Sequence, residues 1–204
     1  MPFFRNFINK ITTCFIFVTV FIFFSTLHAK NLYNYDKADN IANYFSGILL
    51  LNQSQYEESY KYLKRLDGLE KSHSSFSSKY IQSLINTGNF NQAFQFSKKL
   101  DREKLDIIES DIIIGIYYLK SSKFDLSKKY FLKAKNRNYK SILDNYLVNS
   151  LLLLSDLKDN NLEQALNRLD NLDNRFKNLN RIQKVFLNCY YNSQNTEKLY
   201  NDLT

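Results

Sequence analysis

The sequence predicts an all-α protein: an α-solenoid of about five antiparallel helix pairs behind an N-terminal apolar segment. Three observations carry that expectation. From Asn31 onward, similar residue types return at a spacing of about 34 residues. The one proline is Pro2, so nothing after it carries the strongest helix breaker. Glycine occurs only 4 times, whereas 15 Tyr and 17 Phe provide ample core material, which excludes a globally disordered chain.

Residues 1–29 differ from the rest. Arg5 and Lys10 give a positive start, and Ile11 to Leu27 then runs without a charge. Thr26-Leu27-His28-Ala29 can end in cleavage after Ala29, the three-part pattern of a secretory signal. The rival is an uncleaved signal anchor, for which the run is at the short limit of a spanning helix. Both readings export residues 30–204. Membrane contact is expected only through residues 11–27, if they are kept.

Counting sets the phase of the repeats. Ser59, Ala93, Ser127, Ala165 and Leu199 succeed one another at steps of 34, 34, 38 and 34 in sequence number. Twelve residues before the first three stand Gly47, Ile81 and Gly115. Small residues at Gly47, Ser59, Ala93, Gly115, Ser127, Ala134 and Ala165 are expected where paired helices approach closely, with large neighbours filling the remaining space. Repeats are placed near residues 40–73, 74–107, 108–141, 142–179 and 180–204.

The pairs are taken in chain order. Pair one is expected at 37–52/55–66, with Ser54 and Glu57 as a capping box. Pair two, at 74–87/90–100, bends at Gly88-Asn89. Pair three, at 106–121/124–136, takes Ser122 and Asp125 as a second capping box. Pair four, at 141–157/162–176, absorbs the 38-residue step. Four extra residues make about one helical turn and nearly preserve a buried face, so the apolar first helix takes them. An extended connector at Asn136–Lys140 is the alternative. Pair five is expected at 180–192/196–203.

The chain carries a net charge of +8. Its Lys and Arg are scattered among Asp and Glu rather than gathered on one face, so nucleic acid is not an expected partner. One mature histidine, His73, and one mature cysteine, Cys189, make neither a disulfide framework, nor a zinc set, nor a triad. His28 and Cys14 lie in the apolar segment. Cys189 reads as a small packed helix residue, and His73 as a solvated residue of a Ser-rich turn. Glu57, Glu58, Asp101 and Glu103 read as solvated faces and caps. No phosphate-binding glycine loop is present. No catalytic residue, metal or cofactor is expected.

The stretch from Asp111 to Ala134, with Gly115, Tyr118, Phe124, Ser127, Phe131 and Ala134, resembles the tetratricopeptide repeat (TPR) pattern. The resemblance covers roughly residues 37–203. It departs at the missing repeat-ending proline, at the absence of Trp, at Ile81, and at Thr196 and Leu199. The order of export segment, first repeat and close repeats also resembles exported TPR proteins of alphaproteobacteria. That likeness implies a right-handed superhelix in the periplasm, or one anchored to the inner membrane and facing it. It also implies a concave groove lined by first helices, at Tyr44, Ile48, Leu51, Ser78, Gln82, Ile85, Ile112, Ile116 and Leu119. A clamp for a C-terminal carboxylate is disfavoured, because Tyr44, Ile48 and Gln82 stand where its Lys, Arg and Asn would be. The function expected is a non-catalytic scaffold for protein–protein interaction in the cell envelope, holding an unidentified protein or peptide. The alternative is a membrane-tethered array that assembles with itself, and a homo-oligomer is compatible with both.

Overall fold

Ten α-helices and no strand occur among the described residues. The computed structural model describes residues 38–137 and 141–203, so the expected export segment at 1–29 lies outside them. The helices are α1 Ala38–Asn52, α2 Tyr56–Leu63, α3 Ser74–Asn86, α4 Phe90–Glu103, α5 Ile108–Lys120, α6 Phe124–Lys135, α7 Ile142–Ser155, α8 Leu162–Asp170, α9 Lys177–Tyr190 and α10 Thr196–Asn201. Short 3-10 turns occupy Lys64–Leu66, Leu69–Lys71 and Asn174–Phe176. None of the described helices is long and apolar enough to cross a membrane.

Within a pair, small residues set the approach. A Cβ on Gly47 would stand 2.6 Å from Cδ2 of Leu63. One on Gly115 would stand 3.0 Å from Cζ of Phe131, and closer still to Cε1 and Cδ1. Leu63 and Phe131 are fully buried, so the missing side chains are the space these two fill. The same crossing carries a hydrogen bond. Ser59 Oγ donates to the Gly47 carbonyl at 2.8 Å, and Ser127 Oγ donates to the Gly115 carbonyl at 2.9 Å. Each serine is fully buried, and such a bond contributes about 1 kcal/mol net while sparing a buried hydroxyl its desolvation cost.

Between pairs, the second helix of one packs on the first helix of the next. Leu63, Leu66 and Phe76 form one such cluster. A larger one joins Ala93, Phe94 and Leu100 of α4 to Ile113 and Ile114 of α5. Phe131 and Ala134 meet Val148, Leu151 and Leu152, and Ala165 and Leu169 meet Leu187. The core is therefore a chain of clusters, each shared by neighbouring pairs.

The turns correct the expected capping boxes. Ser54 and Ser122 are not N-caps; Gln55 and Lys123 are, and neither supplies a side-chain cap. Ser54, Gly88, Ser122 and Asn192 instead take positive φ, at 60°, 73°, 56° and 53°. The following residue then bonds back across the helix end: Gln55 N to Leu50 O, Asn89 N to Leu84 O, Lys123 N to Tyr118 O and Ser193 N to Asn188 O, each within 2.8–2.9 Å. This Schellman closure satisfies carbonyls left open by the ending helix, and it wants a residue tolerant of the left-handed region. A small polar residue at a pair's turn thus serves the first helix's end rather than the second helix's start. A two-sided capping box does form at Asn161–Gln164, on α8.

The 38-residue step is visible in the packing of α7. Val148, one ordinary repeat period after Ile114, packs on the preceding pair with Phe131 and Ala134. Leu153, twelve residues before Ala165, clusters with Ala165 and Leu169 as Gly115 meets its own second helix. The four additional residues fall between these two registers. The α-helix nevertheless ends at Ser155, short of the expected 157, and residues 156–159 continue as turn. Asp156, 4% exposed, fixes that turn through Lys128 at 2.7 Å and Arg168. Tyr191 reaches the carbonyls of Leu157 and Asn160 at 2.8 and 2.9 Å.

The boundaries of α8 and α9 also differ from those expected. α8 stops at Asp170 rather than 176, and α9 begins at Lys177 rather than 180. Asp173 accepts from Arg175 N at 3.0 Å and starts the 3-10 turn that leads into α9. Cys189 is exposed rather than packed, because the inward positions of α9 are taken by Val185, Leu187 and Asn188.

Candidate functional site: a cleft across the first helices

The first helices of pairs two, three and four lie side by side, and a cleft runs across α3, α5 and α7. One part, of ≈ 450 Å³, is lined by Ser78, Ile81, Gln82 and Ile85 of α3, Ile112 of α5 and Leu147 of α7. An adjoining part, of ≈ 550 Å³, shares Ser78, Glu109, Ile112 and Leu147 and adds Lys79, Asp106, Arg137 and Asp144. The floor is apolar and the rim polar. Ile85 and Leu147 are each 42% exposed, large apolar side chains left open to solvent. Helix spacing explains the lining: Ser78, Gln82 and Ile85 stand at i, i+4 and i+7, one face of α3. Ser78 Oγ donates to Glu109 Oε1 at 2.7 Å and ties that face to α5.

Four of the nine expected groove residues, Ser78, Gln82, Ile85 and Ile112, line this cleft. The others sit elsewhere. Leu51 is 3% exposed and belongs to the core. Tyr44 packs on the Leu63–Leu66–Phe76 cluster, with its ring 5.0 Å from that of His73. Burial of the Tyr44 hydroxyl raises its pKa. Ile48 is half-buried on α1. Ile116 and Leu119 pack against Phe131, Ala134 and Val148. Leu147, Glu109 and Asp144 were missed. Carrying the Ser78–Ile112 phase forward by 34 reaches Tyr146, which is 5% exposed and donates to Asn180 Oδ1 at 2.7 Å. The residue facing the cleft is its neighbour.

At one end of the cleft lies a charged network that the sequence pattern assigns to a solvated face. Asp101 accepts from Lys133 Nζ at 2.7 Å, from Tyr130 OH at 2.9 Å and from Lys98 Nζ at 3.2 Å. Asp106 pairs with Lys133 at 2.8 Å and with Arg137, and the fully buried Asp111 accepts from Arg137 Nε at 2.6 Å. Asp101 is therefore a junction between α4 and α6. The cause is the repeat period: Lys133 stands as far after Asp101 in sequence as Lys99 does after Asp67, which Lys99 meets at 2.9 Å. Burial disfavours the Asp101 carboxylate, but the hydrogen bonds from Lys133, Tyr130 and Lys98 outweigh it and hold its pKa at about 2. Burial pushes Asp111 up to about 6, against the attraction of Lys133. Asp101, Asp106 and Asp111 could converge on a cation, and Lys133 and Arg137 already supply positive charge at that point.

His73 is exposed at the N-terminal edge of α3, and Cys189 is exposed on α9, so the two stand on different pairs. Glu57, Glu58 and Glu103 are exposed.

No protein-family model matches the chain, and no curated protein does. Solved structures do. MamA AMB-1 aligns with a TM-score of 0.57 at 13% identity, over 81% of this chain and 99% of that one. MamA MSR-1 aligns with a TM-score of 0.57 at 15% identity, over 80% of this chain and 95% of the other. MamA is a TPR-repeat protein, and the likeness at these identities is one of fold: the chain is an all-α solenoid of the tetratricopeptide type.

Proposed function

We propose that the chain is an exported, non-catalytic scaffold that holds a segment of another protein in the cleft across α3, α5 and α7. The observation that carries this reading is the open apolar floor of Ile85, Ile112 and Leu147 inside a rim of Glu109, Lys79 and Asp144. A cleft of this size, with an apolar floor and few polar groups, suits an extended segment or one face of a helix. The TPR-type fold supports it, since the first helices of such an array are the elements left facing a common groove. Export rests on the charge-free run from Ile11 to Leu27 behind Arg5 and Lys10. The compartment proposed is the periplasm or the outer face of the inner membrane.

The test is site-specific photocrosslinking of the full chain in cells. A photoreactive residue at Gln82 should yield a discrete adduct, and one at the exposed Lys129 should not. Leu147→Glu should abolish the Gln82 adduct while leaving helicity and melting temperature at the parent values. Equal labelling from Gln82 and Lys129, or an adduct indifferent to Leu147→Glu, places the partner elsewhere. N-terminal sequencing of the exported product decides export separately: a start at Lys30 marks cleavage, and retention of residues 15–24 in the membrane marks an anchor.

A further inference from the structure

Two carboxylates flank the apolar floor of the cleft. On α5 Glu109 precedes Ile112 by just under one helical turn, and on α7 Asp144 stands in the same relation to Leu147, so each acid shares a helix face with a floor residue. Neither carboxylate is used to start its helix. Ser110 Oγ accepts from Ile107 N at 2.9 Å at the head of α5, and Ser141 Oγ accepts from Asp144 N at 3.1 Å at the head of α7. Glu109 accepts from Ser78 Oγ, a neutral donor, and both acids are half-buried. Among the described residues neither has an ion pair. The cations nearby are engaged: Arg137 pairs with Asp106 and Asp111, and Lys133 with Asp101 and Asp106. Lys79 belongs to α3, where its Nζ lies 3.5 Å from Gln82 Oε1. The α5 and α7 side of the rim is therefore net negative.

Resting on the reading of the cleft as the seat of a segment of another protein, we propose that this segment is cationic as well as apolar. A lysine or arginine of the partner meets Glu109 and Asp144, and a large apolar side chain beside it lies on Ile85, Ile112 and Leu147. Charge complementarity selects this occupant. A purely apolar segment would take water from both carboxylates without replacing it, and an acidic one would add repulsion. A lysine or arginine instead supplies N–H donors to the carboxylate oxygens and lays its methylene stem along the apolar floor. Because the rim is only half-buried, the pairing fixes the orientation of the segment and weakens as salt rises.

The experiment adds isosteric neutral variants to photocrosslinking from Gln82 of the full chain in cells. Glu109→Gln keeps an oxygen for Ser78 Oγ, and Asp144→Asn leaves the Ser141 cap in place, so circular dichroism should show both folded as the parent is. The double variant Glu109→Gln/Asp144→Asn should lower the adduct about tenfold, whereas Lys79→Gln should leave it unchanged. Mass spectrometry of the parent adduct should find a lysine or arginine within about one helical turn of the cross-linked residue. A synthetic peptide of that sequence should bind the full chain more weakly as salt rises, and its glutamine-substituted form about tenfold more weakly at low salt. An adduct lost with Lys79→Gln but kept in the double variant makes the segment acidic and overturns the proposal. So does an adduct indifferent to all these changes, or a cross-linked segment with no lysine or arginine. Each of those results leaves the cleft occupied by a partner. The absence of a Gln82 adduct in the parent, or an adduct to this chain itself, instead removes the reading of the cleft and this proposal with it.

Discussion

Gly115 and Phe131 share a volume that only one of them can fill. Gly115→Leu should overpack that crossing and cost about 1–3 kcal/mol, whereas Lys120→Leu on the exposed side of the same helix should be nearly silent. Thermal melts of the two variants check this, and equal effects would mean that the close approach is elsewhere. Asp101 makes a second residue-scale prediction. Its pKa, about 2 in the folded chain, lies below the ordinary 3.8, so its network adds stability above the unfolded value and loses it as pH falls toward 2. The contribution is on the order of 2 kcal/mol. Between pH 5 and pH 2 the parent should therefore lose more melting temperature than Asp101→Asn. Asp111 works in the other direction. Its raised pKa, about 6, means that the folded chain holds a proton there that the unfolded chain has lost, so its contribution to stability declines as pH rises from the ordinary 3.8 to 6. The small residues at the crossings were legible because the repeat period exposes them. The Asp101 junction was not, because its partners lie a repeat away and a carboxylate near a helix end looks the same whether solvated or paired.

Helix ends carry the element-scale lesson. The five pairs were readable from periodicity, yet the role of Ser54 and Ser122 was inverted. A serine three residues before Glu57 or Asp125 fits a capping box by sequence, and only φ distinguishes it from the left-handed residue that closes the preceding helix. Gly88 isolates that backbone effect, since a Cβ there would meet nothing within 4 Å. Gly88→Ala should cost about 1 kcal/mol through its positive φ alone, and urea denaturation should show a lower midpoint at unchanged slope. The end of α8 was misplaced because Leu172 and Phe176 keep an apolar helical spacing across the break that Asp173 imposes.

At the scale of the whole array, stability should follow the chain of clusters rather than spread evenly. α3 to α5 share the largest cluster, including the fully buried Leu84, Leu100 and Ile114, and α10 contributes no buried residue. Amide exchange should accordingly be slowest in α3–α5 and fastest in α10, with α9 between them. A flat profile would show that the array opens as one unit. The cleft was half legible. α3 and α5 keep the unbroken period, and Ser78, Gln82, Ile85 and Ile112 follow from it. On α7, counting by 34 from Ile112 lands on the buried Tyr146 and passes over its exposed neighbour Leu147.

The distribution of glycine has a consequence for engineering. Two of the four glycines, Gly47 and Gly115, are committed to helix crossings where a Cβ has no room. Left-handed positions at Ser54, Lys104, Ser122 and Asn192 are consequently held by residues that strain there. Ser54, Lys104 and Ser122 are solvent-exposed turn residues outside the cleft lining, so glycine at each should add up to about 1 kcal/mol of stability and raise the melting temperature accordingly, without altering what the cleft recognises. A hardened form of the molecule is thus three codons away, and none of the three falls in a surface on which its proposed activities depend.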